Sequence, residues 1–277
     1  MNKKFWKILA GITAAVILLG LAWFANAFLG NPVSKALATR TARQYLSQTY
    51  GNTDFVIQDV SYSFKDGGYY AHVSSPTSID SHFTFSLTMT GKLSYDSYEH
   101  DVLTGNNTAY RLDMAYRDLV DTVLESPSFP YTLHIAYGTL QFAGDWEVGN
   151  PCNFPDAIPM AELELDRVYD LSELGSTGGH LVLYVEDDTV TVGRMAEILL
   201  DVKDRLDRAG IPFYAVDMTL MYPREEDDTR KEGSLSILGF LSEDITPEGL
   251  ETRVQDACDA TQAYWAEQDK ERLSSEP

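Results

Sequence analysis

One apolar run near the start of the chain constrains the fold more than any other feature. Residues 8–29 are apolar except for Thr13 and Asn26. As a helix, this run of about 22 residues is about 33 Å long, and the hydrocarbon core of a membrane is about 30 Å thick. The sequence therefore predicts one transmembrane helix over residues 8–29.

The charges beside this run predict its orientation. Lys3, Lys4 and Lys7 precede it, and flanking lysines are held on the cytoplasmic side of a membrane. We therefore expect residues 1–7 in the cytoplasm and the bulk of the chain outside the cell membrane. The alternative is a cleaved signal peptide, because Ala25-Asn26-Ala27 is an A-x-A site behind a basic segment. The run exceeds the usual signal-peptide core of about 7 to 15 apolar residues, which favours an uncleaved anchor.

The chain as a whole is acidic and has a globular composition. Its 277 residues include 42 acidic and 21 basic side chains, for a formal net charge of -21, and 44% of the residues are hydrophobic. This apolar fraction can fill a core in each of two domains. Because such a surface repels polyanions, nucleic-acid binding and broad docking on anionic lipid are both disfavoured.

Residues 31–128 predict an N-terminal α+β domain. Gly30-Asn31-Pro32 ends the apolar run, and residues 34–50 then have the pattern of an amphipathic helix. An antiparallel sheet follows, and a second helix begins near Asn107-Thr108. The expected strands are 54–64, 69–75, 82–90 and 92–98. The third is the clearest, because its apolar residues alternate with polar ones: Phe83, Phe85, Leu87 and Met89.

Residues 129–277 predict a C-terminal domain with the element order β-α-β-β-α. The expected elements are a strand at 180–186, a helix at 191–209, strands at 213–222 and 234–241, and a last helix opened by Thr246-Pro247-Glu248. Together with a preceding strand at 131–142 or 161–165, this order indicates a ferredoxin-like α+β sandwich. The glycine-rich stretch 175–180 is interpreted as a turn, because a phosphate-binding loop would need a helix after it.

The sequence predicts no catalytic residue and no cofactor, because the best-marked hydrolase, zinc-protease, nucleotide and calcium motifs are absent from it. One weak metal hypothesis rests on Asp96, Glu99, His100 and Asp101, whose carboxylates and imidazole follow the fourth strand. The alternative is a solvated loop with no ligand.

The two cysteines, Cys152 and Cys258, allow one disulfide in an exported domain. Two buried free thiols are the alternative. Asp256 and Asp259 flank Cys258 and disfavour its thiolate, which argues against a catalytic nucleophile.

Tyrosine is abundant, with 16 in the chain. Strand tyrosines such as Tyr62 and Tyr69 are expected to pack across the sheet and under a helix. An aromatic surface that grips sugars or peptides is the alternative.

Several segments together carry a family resemblance. They are Gly30-Asn31-Pro32, the run 60–67 (VSYSFKDG), Asn107-Thr108 leading into Arg111-Leu112, and the run 180–186 (HLVLYVE) with Phe213-Tyr214-Ala215. In this order the chain resembles the YfjL-like family of Firmicutes over nearly its whole length, with a domain boundary near Pro130. The resemblance implies an uncleaved anchor in a Gram-positive cell and an extracytoplasmic body of two domains. It implies no catalytic residue.

We therefore expect a single-pass, membrane-anchored, extracytoplasmic protein that serves as a non-enzymatic binding or interaction module of the cell envelope. Its expected partners are the membrane, through the N-terminal helix, and a protein of the envelope. A cation-dependent envelope enzyme and a purely structural envelope component are the alternatives.

Overall fold

The computed structural model of the protein describes residues 3–143, 153–224 and 231–275. It has two compact units, Met1–Asn107 (unit 1) and Thr108–Pro277 (unit 2), and each contains one four-stranded sheet with helices. The predicted α+β class is therefore confirmed.

Unit 1 begins with two helices separated by two residues. Helix α1 is Lys3–Leu29 and helix α2 is Pro32–Thr49. Helix α1 is long and apolar enough to cross a membrane, and none of its described side chains is buried. One face of helix α2 packs against the sheet, and Ala38 and Ala42 on this face are fully buried. Their small side chains let the helix approach the sheet closely.

The sheet of unit 1 is antiparallel, and its strands lie in chain order. They are β1 Val56–Ser63, β2 Gly68–Ser74, β3 His82–Thr88 and β4 Leu93–Asp96. The alternation predicted for the third strand is present, since Phe83, Phe85 and Leu87 are buried and their neighbours are more exposed. This face packs against α2.

Unit 2 contains the other four helices and four strands. In chain order they are α3 Asn106–Leu124, β5 Thr132–Leu140, α4 Leu171–Gly178, β6 Gly179–Glu186, α5 Val192–Ala209, β7 Ala215–Met221, β8 Ser234–Leu241 and α6 Leu250–Ser275. The predicted order β-α-β-β-α corresponds to β6 through α6.

The ferredoxin-like detail of the prediction is not confirmed. The second sheet also runs in chain order, β5-β6-β7-β8, and β6 lies directly beside β7 in a parallel pair. A ferredoxin-like sheet is a split β-α-β arrangement, in which another strand lies between the two parallel ones. Here α5 links adjacent parallel strands, and β5 and β8 pair antiparallel at the two edges.

Helix α3 changes the predicted domain boundary. Its apolar face was expected to close the first domain, but it belongs to the core of unit 2. The side chains that it buries there are Leu112, Tyr116, Val120 and Leu124. Gly138 of β5 explains the close fit, because a Cβ there would lie 2.6 Å from a methyl group of Val120. The boundary falls between Asn107 and Thr108, not between 128 and 129.

The stretch 175–180 also differs from its prediction as a turn. Its first half completes helix α4, whose N-cap is Asp170, with Asp170 accepting a hydrogen bond from the amide of Ser172. Gly175 and Gly178 are buried inside this helix, where a Cβ on Gly175 would lie 2.5 Å from the Pro212 carbonyl oxygen. The glycines therefore serve close packing.

Candidate functional site

The most constrained polar arrangement in unit 1 lies where α1 meets the sheet. We call it the helix junction and define it as residues 26–34 together with Tyr62, Phe64 and Tyr69. The chain turns at Gly30, whose φ of 67° is left-handed. A Cβ on Gly30 would lie 2.6 Å from the Tyr69 hydroxyl and 2.8 Å from Cγ of Tyr62. Only glycine fits this position without strain.

Asn31 begins α2 and also ties α2 to α1. Its Oδ1 accepts a hydrogen bond from the Ser34 amide at 2.8 Å, which is the arrangement of a helix N-cap. Its Nδ2 donates to Oδ1 of Asn26 in the last turns of α1 at 2.8 Å. Pro32 follows as the first residue of α2, where its missing N–H has no intrahelical partner to lose. One side chain thus connects both helix ends.

Two tyrosines of the sheet bind the backbone of this turn. The Tyr62 hydroxyl donates to the Ala27 carbonyl oxygen at 2.8 Å, a group that the end of α1 leaves unpaired. The Tyr69 hydroxyl donates to the Asn31 carbonyl oxygen at 2.9 Å and accepts from the Asn31 amide at 3.0 Å. The two rings contact each other, with centroids 5.3 Å apart. They fix the end of α1 to β1 and β2.

An aromatic contact extends the junction along α1. Phe64 lies in the turn between β1 and β2, and its ring stacks on that of Phe28 with centroids 5.8 Å apart. Phe28 in turn contacts Phe24, one helical turn earlier, at 4.5 Å. Phe64 is nevertheless 59% exposed. The tip of this hairpin therefore flanks the last turn of α1.

The residues of the metal hypothesis have separate partners. Oδ2 of Asp96 accepts hydrogen bonds from the hydroxyls of Tyr45 at 3.1 Å and Tyr50 at 2.8 Å. Burial, followed by the hydrogen bond to Asp96, raises the pKa of both tyrosines, so the two phenols stay protonated donors. Asp96 thus joins β4 to the end of α2.

His100 and Asp101 are the two predicted ligands that the structure brings into contact. Nδ1 of His100 lies 2.9 Å from Oδ1 of Asp101, and the Ser97 hydroxyl donates to Oδ2 of Asp101 at 2.5 Å. No hydrogen bond or ion pair joins Glu99 to them in the part of the chain that the structure describes. Within the same residues no group of three or more His, Cys, Asp or Glu side chains is placed to hold a metal ion. The metal site stays a prediction.

This trio does not have the order of a catalytic triad. A serine nucleophile needs a histidine as its base, with the carboxylate on the far side of the imidazole. Here Asp101 lies between Ser97 and His100. Ser97 is buried, and its hydroxyl oxygen also accepts a hydrogen bond from the Thr84 amide and lies 3.2 Å from the Thr84 carbonyl oxygen. The arrangement stabilises the end of β4.

The predicted disulfide lies partly outside the described residues. Cys258 is buried on α6, while Cys152 is not among the residues that the structure describes. Burial, and then the carboxylate of Asp259, raises the pKa of the Cys258 thiol. The thiolate is correspondingly disfavoured. The pairing of the two cysteines stays a prediction.

A pair formed by the buried His180 and the half-buried Asp217 was not anticipated from the sequence. Nε2 of His180 on β6 lies 3.2 Å from Oδ1 of Asp217 on β7, and the same oxygen accepts a hydrogen bond from the Gly239 amide at 2.7 Å. Phe154 packs on the imidazole with centroids 5.5 Å apart. The pair depends on the parallel register of β6 and β7, which sequence patterns do not specify.

The junction tyrosines were predicted as packing residues, with an aromatic binding surface as the alternative. Their hydroxyls bind backbone atoms 35 and 38 positions away. The sequence signal that was available is the Gly30-Asn31-Pro32 break, because an N-cap next to a left-handed glycine leaves several backbone groups in need of partners.

Comparisons with protein families match both units. The model described as YfjL-like, N-terminal domain matches residues 3–97, which include the helix junction, and the model described as YfjL-like C-terminal domain matches residues 115–255. Neither the curated proteins nor the solved structures gave a match to the chain. On these two matches, the chain belongs to the YfjL-like family.

Proposed function

We propose that the protein is a single-pass membrane protein with a cytoplasmic N-terminus, and that it serves as a non-enzymatic binding or interaction module of the cell envelope. The observation that carries this proposal is the helix junction. Its hydrogen bonds hold unit 1 in a fixed orientation on α1. A fixed orientation is useful to a protein that must present a surface to a partner at a membrane.

The exposed side chains of α1 support the membrane part of this proposal. Large apolar residues along the helix, such as Leu18, Leu19 and Trp23, are 66 to 72% exposed. An apolar surface this long is unfavourable in water and favourable in a bilayer. Lys4 and Lys7 are on the described part of the N-terminal end of the helix, which fits a cytoplasmic start.

The chemistry of the junction supports a positioning role. Its polar side chains bind backbone groups and one another, so their hydrogen-bonding capacity is used in holding α1 and α2. The protein partner that we propose is another protein of a Gram-positive envelope, met outside the membrane.

Reporter fusions test the topology. Alkaline phosphatase fused after Pro277 is expected to be active and green fluorescent protein at the same place to be dark, because only the first folds outside the cytoplasm. The full chain of 30.9 kDa is expected to remain in the membrane fraction by intact mass spectrometry. A shorter chain cleaved after Ala27 and released from the membrane would replace the anchor with a signal peptide.

Crosslinking in intact cells tests the interaction role. We expect a membrane-impermeant crosslinker to give a discrete species with the wild-type chain. Insertion of a flexible Gly-Ser segment after Gly30 is expected to weaken that species, because the surface is then no longer held in place. Absence of any discrete species in wild-type cells would favour the purely structural role.

Metal titration tests the alternative of a cation-dependent enzyme. The thermal unfolding temperature of the full chain is measured with and without magnesium, calcium, manganese and zinc, since a ligand of the native state must raise it. We expect no rise that depends on Asp101. A rise that disappears in Asp101→Asn would favour the metal-dependent alternative, because it would place the ion beside the His100 contact.

A further inference from the structure

The lysines of unit 1 that follow α1 are concentrated at one end of its sheet. Between Asn31 and Asn107 the chain has three lysines: Lys35, Lys65 and Lys92. Lys35 is in the first turn of α2, and Lys65 is in the turn between β1 and β2. Lys92 is in the turn between β3 and β4. All three side chains are exposed.

The strand registers place these turns together at the α1 end. Ser63 pairs with Gly68, and Gly68 pairs with Thr88. The β1–β2 and β3–β4 turns are therefore at the same end of the sheet. Gly91 brings the second turn against α2, since a Cβ there would lie 2.8 Å from Cβ of Leu37. Tyr69 is near this end of the sheet, and its hydroxyl donates a hydrogen bond to the Asn31 carbonyl oxygen. The three lysines therefore surround the exit of α1.

The carboxylates of unit 1 are distributed in the opposite way. Asp66 is the one described carboxylate in these turns, and it accepts hydrogen bonds from Ser63 at 2.7 Å and Tyr70 at 2.9 Å. The other six lie further along the strands or in the connections at the opposite end: Asp54, Asp59, Asp80, Asp96, Glu99 and Asp101. The lysines that follow α1 are thus at the α1 end, and six of these seven carboxylates are away from it, while Arg40 and Arg43 lie further along α2.

The Asp66 carboxylate interacts electrostatically with its neighbour Lys65, without a salt bridge between them in the described part of the chain. Within the described residues none of the three forms a salt bridge, whereas in unit 2 Arg194, Lys203 and Arg205 each pair with an aspartate within 3.0 Å. These three basic groups of unit 2 are neutralised by their neighbours. The three lysines at the α1 end of unit 1 remain available to bind an external anion.

Apolar side chains lie among the lysines. Phe64 is next to Lys65 and is 59% exposed while it stacks on Phe28 of α1. Val33, near Lys35, is 70% exposed. Aromatic and apolar groups interleaved with lysines are typical of surfaces that lie in the interface between lipid headgroups and acyl chains.

We propose that Lys35, Lys65, Lys92 and Phe64, which we call the lysine rim, dock on the anionic headgroups of the membrane that α1 crosses. This inference rests on the proposed membrane anchoring of α1. The net charge of -21 disfavours broad docking on anionic lipid but opposes a local contact much less, because charges more than about 8 Å apart are largely screened at physiological ionic strength. The rim itself carries three cations, and Asp66 is the one described carboxylate in the turns that hold it.

The test is photo-crosslinking of the full chain in nanodiscs. The photoreactive residue p-benzoylphenylalanine replaces Phe64 in one sample, Leu19 of α1 in a second and Ile79 in a third. Ile79 is 68% exposed and lies in the β2–β3 connection at the opposite end of unit 1. Lipid adducts are measured by mass spectrometry in discs of phosphatidylcholine alone and in discs of phosphatidylcholine with an equal part of phosphatidylglycerol.

We expect adducts at Leu19 in both lipids, none at Ile79, and a several-fold higher yield at Phe64 in the anionic discs. The triple variant Lys35→Gln, Lys65→Gln, Lys92→Gln is expected to reduce the Phe64 yield to its value in neutral lipid. The matched variant with arginine at the three positions should retain the yield. So should Lys270→Gln, which removes an exposed lysine of α6.

The outcomes separate the two proposals. Absence of adducts at Leu19 would overturn the membrane anchor, and the rim proposal with it. Adducts at Leu19 without adducts at Phe64 would overturn the rim proposal alone. Equal Phe64 yields in the two lipids, or a yield that the glutamine variant leaves unchanged, would also overturn it, because the headgroup charge would then have no effect.

Discussion

The hydroxyl of Tyr69 both donates to and accepts from the backbone of Asn31, at 2.9 and 3.0 Å. A single phenol thereby satisfies the carbonyl and the amide of the residue that begins α2. Since Tyr69 is only 1% exposed, water does not replace these bonds easily. These two hydrogen bonds attach the start of α2 to strand β2 of the sheet.

Replacement of Tyr69 by phenylalanine is expected to destabilise unit 1. The change leaves the Asn31 amide without its partner, which costs about 1 to 3 kcal/mol for a buried group, while the Asn31 carbonyl oxygen keeps its hydrogen bond from the Lys35 amide. Denaturant unfolding of the full chain in detergent micelles measures the loss, and hydrogen exchange at the Asn31 amide should become faster. The matched control is Tyr70→Phe on the same strand, whose hydroxyl binds the exposed Asp66. Equal losses in the two variants would contradict the role of Tyr69.

Gly30→Ala is expected to cost more than Gly67→Ala. Both glycines have a left-handed φ, at 67° and 61°, so both substitutions pay the backbone cost of about 1 to 2 kcal/mol. A Cβ at Gly67 meets no atom within 4 Å, whereas one at Gly30 meets the Tyr69 hydroxyl at 2.6 Å. The difference in unfolding free energy between the two variants therefore isolates the close contact. A difference near zero would show that the junction relaxes freely.

Asp54 is expected to make unit 1 sensitive to acid. Hydrogen bonds from Thr77 and then Ser75 hold the pKa of its carboxyl below the ordinary value of 3.8. Because the folded state then binds fewer protons than the unfolded chain, this contribution is present above about pH 4 and is lost as the pH falls through the lowered pKa.

The variant Asp54→Asn isolates this effect. Its loss of stability relative to wild type should be largest near neutral pH and should shrink as the pH falls below about 4, in urea unfolding of the full chain. Asp59→Asn is the control, because the Asp59 carboxylate makes no side-chain hydrogen bond in the described part of the chain. A loss of stability in Asp54→Asn that is independent of pH would contradict this prediction, because the ionised carboxylate would then not be its cause.

The domain boundary predicts which fragment folds alone. A fragment of residues 106–277 keeps α3 and is expected to unfold cooperatively. A fragment of residues 129–277 lacks Tyr116 and Val120, both fully buried, and is expected to lose cooperative unfolding because its core is opened. Thermal melts followed by circular dichroism measure both. Cooperative melts of equal midpoint would restore the boundary at 128/129.

Local patterns predicted most of the elements of this fold. Strand β8 Ser234–Leu241 has the predicted bounds, and helix α5 begins after the predicted Thr191 and ends before Gly210, where the cap has a left-handed φ. These features depend on residues a few positions apart. Alternation, helical periodicity and capping residues can all be recognised from residues that are close together in the sequence.

Arrangement in space was harder to predict. The pattern of α3 shows that it buries one face, but the sheet that covers this face depends on contacts such as that between Val120 and Gly138. The order of β5 to β8 is likewise a matter of pairing between distant segments. The metal hypothesis grouped Asp96 with His100 because they are close in sequence, while the fold directs Asp96 to Tyr45 and Tyr50.

Helices α1 and α2 are separated by Gly30 and Asn31 alone, and Tyr69 of the sheet forms hydrogen bonds to Asn31. A flexible tether of n residues gives its cargo a reach of about 5 to 6 Å times the square root of n. No flexible segment of this kind separates α1 from the rest of unit 1 in the described part of the chain. With α1 in a membrane as proposed above, unit 1 would stay at one height and would meet partners by diffusion of the protein in the membrane plane and by its rotation about the membrane normal.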